Sequence, residues 1–168
     1  SGNDVFMTMA KNYISAATSK KLGCKPAKEG TIIFPKIGAA ITTNKKRILK
    51  YNSCYDNNVV GIIPITQKIK NKFLYYIFLQ IDLRSLADYS GAMPSIRKST
   101  LEKQEIPIPP LPVQAEIVRI LDKFDALTTD LSAGLPAELK ARRQQYEYYR
   151  DKLLAFPRMT GEPLSPAQ

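Results

Sequence analysis

Four prolines within seven residues, Pro107, Pro109, Pro110 and Pro112, constrain what this chain can fold into more than any other feature. Each proline fixes its own φ and disfavours a helical residue before it, so Ile106 to Leu111 must be extended. Pro112 can open a helix, where its missing N–H costs nothing. Apolar residues then recur at helical spacing: Ile117, Ile120, Phe124, Leu127 and Leu131. The run is a stiff lead that sets where a helix leaves a domain. A proline-rich ligand for an aromatic groove is the competing reading, but Ile106, Ile108 and Leu111 have the character of core residues.

Charge divides the chain at the same place. Residues 1–106 carry 17 Lys and Arg against 7 Asp and Glu, whereas residues 107–168 carry 8 against 8. The whole net charge of +10 therefore precedes the prolines. A basic globular part suits a polyanion such as nucleic acid, and a neutral helical part suits protein. Histidine is absent, which removes the usual general base and imidazole ligand. Cys24 and Cys54 lack metal spacing and, with no signal-like N-terminus, favour free thiols in a reducing cytoplasm. No apolar run is long enough for a membrane span.

Before the prolines, Lys11–Gly23 reads as a short helix stopped by Gly23. Gly30–Gly38 reads as a strand, extended by Ala39–Thr43, with a turn at Asn44-Lys45-Lys46 into Arg47–Tyr51. Asn58–Ile65 is the strongest strand pattern. Together they predict a small antiparallel sheet with a cationic turn. Lys70–Leu86 shifts to helical period, with Phe73, Leu74, Ile77, Phe78 and Ile81 on one face and Asn71 as its cap. Its Tyr75-Tyr76-Ile77-Phe78 run is a core pattern rather than a base-stacking platform. Ser90–Thr100 is a loop, Ser99–Gln104 a helical turn and Glu105–Pro109 extended.

After the prolines, a second apolar series runs through Leu135, Leu139, Tyr146, Tyr149, Leu153 and Phe156, with Arg142 inside its seam. Gly134 and Pro136 predict a break or kink, with Ser132 capping a second helix. Helices running nearly end to end cannot bury such a seam within one chain, so it predicts a coiled partner and a homodimer with antiparallel helices. The expected interface is Ile117, Ile120, Phe124, Leu127, Leu131, Leu135, Leu139, Tyr146, Tyr149 and Leu153. The fold class is α+β: a small mixed-sheet globular domain over 1–111, a coiled-coil helical region over 112–156 and a disordered tail over 157–168.

The runs IPIPPLPVQAEIVRILDKFDALTTDL and ELKARRQQYEYYRDKLLAF closely resemble the specificity subunit of type I restriction–modification enzymes. Upstream, GTIIFPKIGAAITTNKKRI, YDNNVVGIIP and GAMPSIRKSTLEKQEIPIPPL resemble the target recognition domain of that family. The resemblance covers residues 28–156. It implies a non-catalytic subunit in which each of two recognition domains reads half of a split double-stranded DNA sequence. Helices between the domains act as a ruler, methyltransferase (modification) subunits attach around them, and a restriction/motor subunit completes the complex. Here only one domain and one helical region are present, which implies a half-subunit or a fragment whose recognition domain lacks its N-terminal portion. The resemblance leaves the methyl donor and ATP to partner subunits, and no cofactor is expected.

The densest set of DNA-reading side chains is Thr42, Thr43, Asn44, Lys45, Lys46 and Arg47, with Lys36 just before it. Lys45, Lys46 and Arg47 are expected to touch phosphate, and Thr43 and Asn44 to approach bases. A solvated hairpin tip is the plainer alternative. Ser95, Arg97 and Lys98 form a second candidate within the 93–98 loop, where a structural turn would equally need Gly91 and Pro94. Asn57 and Asn58 form a third, although a turn held by Asp56 through its own backbone is the simpler reading. Two other functions compete: a helical oligomerisation or adaptor protein that binds no DNA, and a metal-dependent nuclease. The second lacks clustered carboxylates.

Overall fold

The computed structural model describes residues 5–130 and 136–156. The chain divides into two compact units, Ser1–Val118 and Arg119–Gln168.

In the first unit the elements are β1 (Phe6–Met7), α1 (Ala16–Lys21), β2 (Ile32–Pro35), a 3-10 turn (Ala39–Thr43), β3 (Arg47–Leu49) and β4 (Val59–Ile62). They are followed by α2 (Asn71–Gln80), α3 (Leu83–Leu86), α4 (Lys98–Glu102) and the start of α5 (Leu111–Asp130). The four strands lie in the order β1-β3-β2-β4. β2 pairs antiparallel with β3 and β4, as their patterns predicted, and β1 pairs parallel with β3, so the sheet is mixed, in keeping with the expected fold class. Two residues are too few to carry a period-2 signal, which is why β1 escapes a sequence reading.

The register aligns Phe6, Ile48, Ile32 and Ile62 across the sheet. Side chains alternate along a strand, so Phe34 shares the face of Ile32. There Phe34 stacks on Phe78 of α2 with ring centroids 5.6 Å apart. All six residues Phe73–Phe78 are buried, so α2 is enclosed on every side and Tyr75 and Tyr76 belong to the core. Truncating a wholly buried phenylalanine such as Phe73 typically costs about 3–5 kcal/mol.

The helix expected over Lys70–Leu86 is broken at Ile81. Ile81 is extended, and Asp82 starts α3 by accepting the Arg84 N–H at 2.9 Å. Lys70, not Asn71, holds the N-cap position of α2, while the Asn71 side chain lies against Gly30. Ala39–Thr43 is a 3-10 turn instead of a strand extension. Thr42 and Thr43 donate to the Ala39 and Ala40 carbonyls at 2.6 and 2.7 Å, offering the backbone a tight turn in place of a ladder. Gly38 (φ 75°) leads into it and Asn44 (φ 51°) leads out.

In the second unit the later part of α5 is joined by α6 (Pro136–Leu153). Phe124 stacks on Tyr149 with ring centroids 5.6 Å apart. In one continuous helix those residues would stand roughly 37 Å apart, so the chain reverses between them. This corrects the end-to-end arrangement from which a coiled partner was inferred: part of the seam is met inside one chain. Leu121 and Leu154, absent from the expected interface, are buried, whereas Leu127 is 52% exposed. Ile117 is buried, and Ile120, Tyr146 and Leu153 are half-buried. Leu131, Leu135, the side chain of Leu139, the kink at Gly134, the Ser132 cap and the tail over 157–168 lie outside the described residues.

Candidate nucleic-acid interface

Three stretches of sequence meet at the end of β2, and the backbone of Lys36 joins them. Its N–H donates to the Asn58 carbonyl and its carbonyl accepts from the Ile96 N–H, both at 2.8 Å. Two residues on, the Gly38 N–H donates to the Pro94 carbonyl at 2.8 Å. Ser95 bridges to both Ile37 and Asp88. The 36–47 segment, the Asp56–Asn58 turn and the 88–98 loop therefore share one rim, although up to sixty residues separate them. Gly38 is required there: a Cβ on it would come within 3.1 Å of the Met93 side chain, at a φ few other residues adopt.

Each predicted residue has a definite place on that rim. Lys45 is exposed, Lys36 and Arg47 are half-buried, and Thr42 and Thr43 are exposed with their hydroxyl protons directed to their own turn. Asn57 and Asn58 are exposed, and Asn58 is held by Asp56 through its N–H at 3.0 Å and its amide at 3.2 Å. That is the Asx turn expected as the simpler reading. Ser95 is half-buried within its bridges. Arg97 and Lys98 are exposed; Arg97 forms an ion pair with Asp88 at 2.6 Å and Lys98 one with Glu102 at 3.3 Å.

Lys46 does not stand where a phosphate contact would. It is 3% exposed, and its ammonium donates to the Ile81 carbonyl at 2.6 Å and to Asn44 Oδ1 at 2.8 Å. Asn44 Oδ1 also accepts the Leu83 N–H at 2.9 Å. The pair ties the rim to the break between α2 and α3, and supplies a donor for a carbonyl freed by that break. Lys46 acts inside the fold, and half-buried Asn44 spends its Oδ1 on the same junction; the burial of Lys46 depends on Ile81, thirty-five positions away.

Tyr89 was missed, and Met93 entered only as the first residue of the 93–98 candidate. Both are large, about 60% exposed, and sit within the 88–98 loop. Their available signal was an aromatic and a thioether between turn formers, Ser90, Gly91 and Pro94. Beside them, Asp82 and Arg84 form a two-pronged pair, with Arg84 Nε at 3.0 and 2.9 Å from the two carboxylate oxygens. Hydrogen bonds from the Arg84 side chain and then its N–H hold the Asp82 carboxyl down at about 2. The Asp88 carboxyl is also lowered, first by Ser90 and then by the charge of Arg97.

Among the described residues no group of three or more His, Cys, Asp or Glu could hold a metal ion. Nor is any described helix long and apolar enough to cross a membrane.

Comparison with known proteins gives a consistent picture. The chain is 36% identical over 114 residues to the type I restriction enzyme EcoR124I/EcoR124II specificity subunit of Escherichia coli, covering 66% of this chain and 28% of that protein. It is 37% identical over 131 residues to a Haemophilus influenzae protein named as a type I restriction enzyme specificity subunit, covering 77% of this chain and 33% of the relative. The chain thus spans about a third of the length of these relatives. A solved structure from work on assembly and conformational transition of the type I R-M system shares the fold, with a TM-score of 0.54 at 17% identity over 77% of this chain and 32% of that one. Residues 1–141 match the family described as type I restriction modification DNA specificity domain, and the chain belongs to that family.

Proposed function

We propose that this chain is a DNA-recognition part of a type I restriction–modification specificity subunit, with no catalysis of its own. The rim at the end of β2 would read one half-site of a bipartite double-stranded target. The observation that carries this is the joining of three separate loops through the Lys36 backbone, on the unit that holds the positive charge. Lys36, Lys45, Arg47, Arg97 and Lys98 would neutralise phosphates, while Thr42, Thr43, Asn57, Asn58 and Ser95 face base edges or the sugar backbone. Tyr89 and Met93 add apolar contact area on the same loop. Lys46 and Asn44 hold the rim in shape and stay outside the DNA-facing set.

The α5–α6 region would assemble with methyltransferase subunits, to which a restriction/motor subunit adds. Leu127, Tyr148 and Tyr149 leave apolar surface for that contact. Pairing with a second copy through the same helices remains compatible, since the Phe124–Tyr149 stack uses only part of the seam. The division into a recognition domain ending at the proline lead, a helical region and a tail belongs to this proposal. So does a cytoplasmic setting, which the two free thiols Cys24 and Cys54 suit.

The test is selection from a pool of random-sequence duplexes by the chain assembled with its modification subunits. Enrichment of a defined half-site is expected. Uniform recovery of all sequences would refute the recognition role and leave only nonspecific charge attraction.

A further inference from the structure

Gln114 is a polar residue on the buried stripe of α5, next to Ile117, and it is wholly enclosed at 0% exposure. Its Oε1 accepts the N–H of Lys70, the N-cap of α2, at 2.8 Å. Its Nε2 donates to the carbonyls of Lys68 at 2.9 Å and Pro109 at 2.7 Å. Its own N–H donates to the Pro110 carbonyl at 3.1 Å. One side chain therefore fastens the turn into α2, the proline lead and the first turn of α5.

Chemistry explains why glutamine stands there. Pro109 and Pro110 offer carbonyls but no N–H, so the lead needs donors, and the turn at 68–70 presents one acceptor and one donor. A primary carboxamide supplies two donors and an acceptor in one plane. Glutamate would turn a carboxylate oxygen towards two carbonyls, and methionine would take these partners from three backbone groups, the Lys70 N–H and the Lys68 and Pro109 carbonyls. Apolar packing against Ile117 is not directional, whereas hydrogen bonds are. A helix held by packing alone can tilt; one held at its first turn by these bonds cannot do so without breaking them. The lever is long. α5 has 20 residues. At about 30 Å, a helix tilted by roughly 10° at its start moves its far end by about 5 Å. That exceeds one base-pair step of about 3.4 Å.

We propose that Gln114 is a positioning residue that sets the direction in which α5 leaves the recognition unit, and thereby the separation at which half-sites are read. This rests on the DNA-recognition reading above. It assigns spacing selectivity, as distinct from half-site affinity, to a side chain that need not touch DNA.

The experiment uses the assembled complex carrying wild-type, Gln114→Glu or Gln114→Asn chain. It is titrated with duplexes bearing two of the selected half-sites at the preferred spacer, at one base pair more or fewer, and with a single half-site. Gln114→Glu is expected to lose about tenfold of the spacer preference, with single-site affinity kept within about twofold. Gln114→Asn keeps the amide one methylene short and should lose a smaller part. Full spacer preference in Gln114→Glu overturns the proposal, as does a parallel loss of single-site affinity, which marks an ordinary core residue. Failure of both variants to fold overturns it for the same reason. A wild-type complex with no half-site preference instead sinks the recognition reading itself, an outcome the single-site duplex separates from the others.

Discussion

Lys46 donates to the Ile81 carbonyl at 2.6 Å, and this bond, with the Leu83 N–H donated to Asn44 Oδ1, joins the rim at the end of β2 to the break between α2 and α3. A buried ammonium is expensive unless paired, and here Asn44 accepts from it as well, through Oδ1 at 2.8 Å and its carbonyl at 3.4 Å. Its removal leaves the Ile81 carbonyl without this donor.

Replacing Lys46 by methionine keeps the apolar stem and deletes the donor. The expected loss is about 2–3 kcal/mol in urea unfolding, set by the desolvated carbonyl left behind. Lys45→Met, one residue away and exposed, should fall within about 0.5 kcal/mol of wild type. Equal stabilities for the two variants would mean that Lys46 fastens nothing.

Gly38→Ala tests the rim's geometry. The added Cβ meets Met93 at 3.1 Å, and the φ of 75° disfavours any side chain. A cost of about 1–2 kcal/mol is expected from the backbone alone. Half-site discrimination should fall too, because Gly38 bonds to Pro94 and so aligns two of the three loops. Unchanged discrimination would show that the alignment is not used.

How much of this was legible depended on how local each cause is. The extended lead, the helix beyond it, α1 and the strands at β2, β3 and β4 follow in outline from proline chemistry and short-range pattern, but α5 starts at Leu111, inside the stretch expected to be extended, and Ile108, expected in the core, is exposed. The 3-10 turn was not legible, because Thr42 and Thr43 carry strand propensity that is overridden by bonds to their own turn. The reversal that stacks Phe124 on Tyr149 was hidden because a heptad seam looks the same whether its partner is another chain or its own next helix. At the rim, residue type indicated the right three segments. It could not show that Lys46 turns inward, since the acceptor at Ile81 lies far away in sequence. Gln114 left a trace, a lone amide on an apolar stripe, but nothing local names its partners.

Acid titration should follow the carboxylates beside the rim. Asp82 has its folded pKa lowered to about 2, chiefly by the Arg84 side chain. The unfolded chain then binds more protons below the ordinary carboxyl range, so the contribution of this pair is present above about pH 4 and fades as pH falls towards 2. Asp82→Asn should flatten the thermal-melting profile over that window, leaving it unchanged near neutrality apart from a uniform offset. A profile as steep as wild type would assign the acid limb to other groups. Asp88, lowered by Ser90 and Arg97, should add to the same limb.

For the second unit, a double-mutant cycle on Phe124→Ala and Tyr149→Ala should return a coupling of about 0.5–1.5 kcal/mol, as stacked rings give. The measurement is made at several protein concentrations. Coupling that persists on dilution marks a contact within one chain; coupling that vanishes on dilution would place the stack between chains.

The most direct test of the DNA-reading rim is the salt dependence of binding to the selected half-site. Wild-type affinity should fall steeply and linearly on a log–log plot as salt rises, and Lys45→Ala should reduce the slope by about 1 while weakening all sequences alike. Lys46→Met, corrected for its lost stability, should leave the slope as it was. An affinity indifferent to salt, or a Lys45→Ala slope equal to wild type, would contradict the placement of DNA on this rim.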